Sequence, residues 1–332
     1  MSAVPVRRVR RQQRTAGAVS DTVPPVDPAL PQRHGADLHL VLESDGAIMA
    51  RCSLWWRAAP LCLDARLGVI GHLATATDDD AAALLDAACE TLRKAGCQKA
   101  VGPMDGNTWR SYRTVTDRGT EPPFFLEPDT PESWPAYFAA AGFTALATYH
   151  SSISTAPFQR DARIPTVAAR LAASGIAVRA IDLNRFEAEL AAIHDLSLES
   201  FARNFLYTPI SRDEFIEQYL PVAPLIDPRF VLVAECAERT VGFLFAIADR
   251  AEAARTASPS TTLIVKTVAV APSRRYGGLG SYLVALVHER AEALGYQRVI
   301  HALMHDSNNS ANISARYGQV MRRYALYARY LG

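Results

Sequence analysis

No apolar run in this sequence approaches the length of about 20 residues that a bilayer-spanning helix needs. Cysteine is scarce. The five present (Cys52, Cys62, Cys89, Cys97 and Cys236) are odd in number and lack metal-ligand spacing, so reduced thiols in a cytoplasmic protein are expected, with neither a disulfide framework nor a metal centre. Excess charge of either sign is missing too. Lys and Arg total 35 against 34 Asp and Glu, a formal net charge of +1, which argues against a broadly electrostatic partner such as nucleic acid or a membrane surface. The start is locally basic (Arg7 to Arg11), but no apolar core follows, so it does not read as a secretory signal. Residues 1–35 read as a basic, Pro-containing flexible tail. What remains is 49% hydrophobic and 21% charged, and at 332 residues it is long enough for two domains with real cores.

The most informative stretch is Val268-Ala-Val-Ala-Pro-Ser-Arg-Arg-Tyr-Gly-Gly-Leu-Gly-Ser281. An apolar strand, Leu263 to Val270, stops before Pro272, which cannot continue a ladder. A basic, glycine-rich turn leads into a helix-period run from Ser281 to Leu294, closed by Gly295. Strand, glycine turn and helix N-terminus together suit a phosphate group, because backbone N–H groups and the helix dipole face an anion that glycine lets approach. A dinucleotide fingerprint would need a glycine where Leu283 stands, and a Walker loop would need Gly-Lys-Ser/Thr; neither is present.

The stretch resembles the pyrophosphate loop of GNAT-type N-acetyltransferases: Arg275-x-x-Gly278-x-Gly280 after a strand ending Val270-x-Pro272. The resemblance implies a mixed α/β sheet fold and an acyl-CoA co-substrate, acetyl-CoA in the simplest case. Its pantetheine arm would pair along Val268, Ala269 and Val270. Its pyrophosphate would rest on N–H groups of Arg275, Tyr276, Gly277, Gly278, Leu279, Gly280 and Ser281. Beyond the next strand the family carries an Asn near the start of a closing helix, and Asn309 is the favoured match. The tyrosine that protonates the departing thiolate in many members falls here on Ser314, with Tyr317 as a substitute. Where many members carry an acidic base on the strand, this chain has Lys266, which reads as a partner for a carboxylate or an edge residue. His305 is the candidate base, although positioning a neutral amine beside the thioester supplies rate without one.

A shift of 199 positions lays Gly96-Cys-Gln-Lys99 on Gly295-Tyr-Gln-Arg298 without a gap, and Val69 and Gly71 on Val268 and Val270. Two copies of one strand–helix–strand unit follow from this. In the first copy Asp78-Asp-Asp80 stands in the columns of Gly277-Gly-Leu279, so carboxylates replace the glycines. The expected organisation is therefore two tandem GNAT-like domains, each a mostly antiparallel twisted sheet flanked by helices. Residues 36–155 form a degenerate copy, 156–174 a linker and 175–332 the acyl-CoA-binding copy.

Elements are also expected outside the motif. Ser44-Asp-Gly46 reads as a hairpin turn, and Ser211 with Glu214 as a capping box. Arg250 to Thr261 reads as a loop. The first copy carries an insertion between Met104 and Gly142, whose Trp109, Arg110, Tyr112, Phe124 and Phe125 line a substrate pocket or, equally, cover the interface between the halves.

The function these features imply is an acyltransferase moving an acetyl group to a primary amine on a small molecule or peptide. The alternatives are a non-catalytic acyl-CoA-binding module and an aminoacyl transferase of the peptidoglycan-bridge type.

Overall fold

The computed structural model describes residues 8–11, 18–19 and 23–332. In chain order its elements are β1 (Arg8–Arg11), β2 (Ala18–Val19), α1 (Leu30–Arg33), β3 (Leu38–Ser44), β4 (Ala47–Trp55), β5 (Leu67–Thr75), α2 (Asp78–Lys94) and β6 (Lys99–Gly102). Then come β7 (Thr114–Asp117), α3 (Trp134–Ala140), β8 (Thr144–Thr155), α4 (Ile164–Ala173), β9 (Ile176–Ala180), α5 (Phe186–Phe201) and α6 (Arg212–Tyr219). The chain finishes with β10 (Val231–Cys236), β11 (Arg239–Ala248), α7 (Arg250–Thr256), β12 (Thr262–Val270), α8 (Leu279–Ala293), β13 (Arg298–His305), α9 (Asn309–Ser314) and β14 (Gln319–Tyr330).

Local chemistry explains most of the boundaries. Asp45 and Gly46 both take positive φ (51° and 80°), which matches the twist of the β3–β4 hairpin. The Thr77 hydroxyl accepts from Asp80 N at the start of α2, and Ser211 does the same for Glu214 N at α6. The stretch read as a loop from Arg250 is instead α7. Asp249 caps it, accepting from the Ala251 and Glu252 N–H groups, and the Ala-rich run behind it favours helix.

The strands form one mixed sheet in the order β1-β3-β4-β5-β6-β14-β8-β13-β12-β11-β10-β9. Neighbours on this path are antiparallel except β5–β6 and β12–β13. The two halves exchange their final strands. β8 of the first half lies against β13, and β14 of the second lies against β6, with β14 and β8 paired at the centre. The sheets expected of the two halves are joined edge to edge through β14 and β8 into one, and each half is completed by a strand of the other. One core packs α4, α5 and α8 on the second half's sheet, and another packs α2 and α3 on the first. A third and a fourth join the halves, through Tyr149, Leu206 and Tyr324 and through Phe124, Ile264 and Ile300.

Part of the expected tail belongs to this structure. Arg8–Arg11 pairs antiparallel with Leu40–Glu43, and Val23 is buried. Residues 1–7, 12–17 and 20–22 of that tail lie outside the described residues.

Candidate active site

β12 and β13 run parallel only from Thr262–Val265 against Arg298–His301. β13 stays paired with β8 on its other edge from Arg298 to His305, and it bulges between His301 and Met304 just where it leaves β12. β12 continues alone beside β11, with Lys266 as the extra residue of a bulge opposite Phe245 and Ala246. The sheet therefore splays, leaving one edge of β12 from Lys266 onward without a strand partner among the described residues. Ala271 N–H donates to the Val241 carbonyl, so the alternation of an antiparallel ladder turns Ala269 toward β11 and Val268 and Val270 toward the opening. Ala269 is thus removed from the three residues expected to pair with a pantetheine arm. The Val270 carbonyl already accepts from Ser200 Oγ of α5 at 3.0 Å. The N–H of Val270 and both backbone groups of Val268 remain.

At the end of β12, Arg274–Tyr276 makes a single 3-10 turn and α8 begins after Gly278. This turn consumes its own donors. Arg275 N bonds Ser273 Oγ, Tyr276 N bonds the Ser273 carbonyl, and Gly277 N bonds the Arg274 carbonyl. The first intrahelical bond runs from Tyr282 N to the Gly278 carbonyl, which leaves the N–H groups of Gly278, Leu279, Gly280 and Ser281 as the helix's free N-terminal donors. The expected seven-residue cradle narrows to these four.

Gly278 holds φ at +82°, where an L side chain is strained, and a Cβ there would sit 2.9 Å from Val167 Cγ1. A Cβ at Gly280 would come within 3.4 Å of Ile313 and 3.6 Å of Val268, so the first turn of α8 lies close over the strand end and under α9.

Arg275 does not offer its charge to this cradle. Its Nη2 donates to the Ser174 carbonyl at 2.6 Å. The residue that braces the turn is Arg170 of α4, which donates to the carbonyls of Arg275 (3.2 Å) and Gly277. It sits in the segment read as a linker, and only the packing of α4 on α8 brings it here.

Of the three catalytic candidates, Ser314 and Tyr317 are neighbours, Tyr317 N–H donating to the Ser314 carbonyl at 2.9 Å, and His305 has other partners. Ser314, at the end of α9, is 1% exposed, and its hydroxyl has no hydrogen-bond partner among the described residues. Tyr317 is buried against His288 and His301, with ring centroids 4.7 and 6.0 Å away, and burial pushes its hydroxyl pKa up. His305 packs edge-on to Tyr149 and beside Phe205. Its Nδ1 accepts from Ser307 N (3.1 Å) and faces the Ser307 hydroxyl (2.9 Å), so the proton of the neutral ring resides on Nε2. Burial holds its pKa below the ordinary value. A ring whose basic nitrogen is already occupied is poorly placed to take a proton from substrate. Asn309 is the first residue of α9; its side chain lies outside those described.

The first half has no such opening. A two-residue link, Ala76–Thr77, joins β5 to α2, where Ala271–Gly278 joins β12 to α8. Lys99 pairs with Leu67 and Arg298 with Thr262, so the strands align four positions away from the ungapped shift that places Gly71 on Val270. Met104 N donates to the Ile70 carbonyl at 2.8 Å, and a Cβ on Gly71 would fall 2.0 Å from the Met104 oxygen. Backbone fills the gap. His72 completes the plug, with its N–H on Asp105 (2.6 Å) and its ring between Ser53 Oγ and His34 Nδ1, each at 2.9 Å.

The insertion between Met104 and Gly142 docks on the second half. Trp109 packs among Phe201, Tyr207 and Phe215 and donates to the Thr208 carbonyl, and Arg110 pairs with Glu214 at 2.6 Å. Phe125 N donates to Asp249. Of the two roles open for these residues, the interface accounts for Trp109, Arg110 and Phe124.

Residues 190–317, which carry the splayed strands and the free helix N-terminus, match the sequence profile described as the Acetyltransferase (GNAT) family. That segment, about two fifths of the chain, is a GNAT-type domain. Two solved structures share this chain's fold. One is a glucosamine N-acetyltransferase region within a fungal multi-domain GH3 β-N-acetylglucosaminidase (14% identity, TM-score 0.55); the alignment covers 98% of this chain and 38% of the fungal one. The other is a conserved protein from Enterococcus faecalis V583 described as a probable N-acyltransferase (9% identity, TM-score 0.54, 99% and 73% of the two chains). No curated protein matches by sequence. The family match supports acyl transfer as the chemistry of residues 190–317. Among the described residues no cluster of His, Cys, Asp or Glu could hold a metal ion, and no helix is long and apolar enough to cross a membrane.

Proposed function

We propose that residues 175–332 bind acyl-CoA, most simply acetyl-CoA, in the opening beside β12 and transfer the acyl group to a primary amine of a small molecule or peptide. The observation that carries this is the unpaired edge of β12 leading to the four free N–H groups of Gly278 to Ser281. The pantetheine amides pair with Val268 and Val270, and the pyrophosphate takes the helix N-terminus, whose dipole favours it. The neutral amine attacks the thioester carbonyl carbon. The C–N bond forms, the C–S bond breaks, the nitrogen gives up one proton, and CoA leaves as a thiol. A backbone N–H of Val268 or Val270 polarises the carbonyl oxygen. Ser314 donates to the departing sulfur, a use for a buried hydroxyl that otherwise has no partner. The five free cysteines fit a cytoplasmic location.

The test is calorimetric titration with acetyl-CoA and CoA, using the wild type and Gly277→Asp. Gly277 has φ −54° and is exposed, so the substitution adds a carboxylate at the turn in an ordinary backbone conformation, with its Cβ 3.2 Å from the Arg274 carbonyl oxygen. One site per chain, weakened at least tenfold in the variant, supports the proposal; no binding by the wild type ends it. Binding without thiol release across a panel of amines would leave an acyl-CoA-binding module.

A further inference from the structure

The opening has a second wall, on the side of the sheet that the insertion covers. Lys266, the bulged residue of β12, is half-buried there and donates to the Leu126 carbonyl at 2.9 Å. The sequence suggested a carboxylate partner or an exposed edge; the structure gives it neither. Arg113 enters from the first half at φ +73° and is 5% exposed. Its guanidinium carbon lies 3.8 Å from the ring centroid of Tyr112 and 4.2 Å from that of Tyr149. Its two hydrogen bonds go to backbone carbonyls, of Tyr112 at 3.2 Å and Leu303 at 2.8 Å.

Neither cation forms an ion pair with a carboxylate among the described residues. The acidic group whose field reaches Lys266 is Glu127, and that carboxylate is engaged by Arg322, Tyr324 and the Phe124 N–H. The two positive groups feel each other. Burial, and then the Arg113 charge, brings the Lys266 ammonium down to about 7, and Arg113 also lowers the pKa of His305. A buried guanidinium bonded to the Leu303 carbonyl of β13 and a half-buried ammonium on β12, neither in an ion pair among the described residues, are costly unless an anion arrives to share them. Both belong to the splay, where β12 leaves β13 and where a thioester and its acceptor would meet.

We propose that Arg113 and Lys266 together bind a carboxylate of the substrate, so that this protein selects an anionic reactant. The inference rests on the acyl-CoA reading above. Two reactants supply that chemistry: an amine acceptor that is itself an amino acid, or an acyl chain ending in a second carboxylate. Tyr112 and Tyr149 hold the guanidinium against their rings, and its N–H groups not bonded to the Tyr112 and Leu303 carbonyls are left for a planar carboxylate.

The experiment uses the full chain and measures CoA release in two paired comparisons. One sets amino-acid acceptors against their carboxamides with acetyl-CoA; the other sets malonyl-CoA against acetyl-CoA with a fixed simple amine. Wild type should prefer the carboxylate-bearing member of one pair by at least tenfold in kcat/KM. Lys266→Met should bring that ratio to within about threefold of one, and Lys266→Arg should keep most of it, each variant being checked for folding by thermal unfolding. Acetyl-CoA binding and turnover with no preference in either pair would overturn this inference alone, as would a preference that Lys266→Met leaves intact. Failure of the wild type to bind acetyl-CoA would overturn the acyl-CoA reading as well.

Discussion

Glu127, in the insertion of the first half, and Arg322, on β14, meet at 2.5 Å with both side chains 1% exposed. Tyr324 and the Phe124 N–H also bond the carboxylate, while Arg322 donates to the carbonyls of Arg118 and Glu121. Removing one partner strands the other charge in the interior. Glu127→Ala should therefore cost about 3–5 kcal/mol of stability, as measured by urea unfolding. Glu127→Leu combined with Arg322→Met should cost less than Glu127→Ala alone.

His288 and His301 predict acid sensitivity. Their Nε2 atoms lie 2.8 Å apart, so one ring must donate and the other accept. Burial holds them neutral, at about 4 and about 3 against an ordinary 6.5, with the neighbouring imidazole lowering His301 further. Below pH 6.5 the unfolded chain takes up protons that the folded chain refuses. Their contribution is thus complete above 6.5 and declines as pH falls toward 4, by about 1.4 kcal/mol per pH unit for each ring. Thermal midpoints recorded from pH 7 to 4 should fall accordingly, and His288→Phe should flatten the curve.

Gly278 predicts a backbone effect. Gly278→Ala forces Cβ into a positive-φ position and against Val167, and should cost at least about 1 kcal/mol in urea unfolding and weaken acetyl-CoA binding. Gly277→Ala, with ordinary φ, should change stability by less than about 0.5 kcal/mol.

Arg170 predicts an effect on affinity with little on stability. It is exposed, and its bonds hold the carbonyls of Arg275 and Gly277, so Arg170→Ala should loosen the turn before α8. A drop in acetyl-CoA affinity of about tenfold is expected in calorimetry, the order of one charged hydrogen bond.

His305 predicts a small kinetic effect. With Nδ1 held by Ser307, His305→Gln should lower kcat by less than about tenfold, below the usual reach of a general base. Nitrogen NMR of the ring should find the proton on Nε2.

The sequence by itself determined the β12–turn–α8 unit, because a proline stop, a glycine at positive φ and a helix-period run are local signals that act over a few residues. It also determined the β3–β4 hairpin and the Ser211 cap, for the same reason. Asp249 with the Ala-rich run behind it is an equally local signal for α7. Tertiary structure alone decided the rest. Nothing local distinguishes a strand that closes its own sheet from one exchanged with a neighbour, so the placement of β8 and β14 depends on contacts far apart in sequence. The pairing of Arg170 with the turn before α8 has the same origin, as has the arrival of Arg113 from the first half at the Leu303 carbonyl. The four-position slip between strand and helix in the repeat was hidden because it lies in a link whose length only the strand register reveals. Side chains that carry charge take their partners from whatever packing brings near, and that is a property of the folded chain.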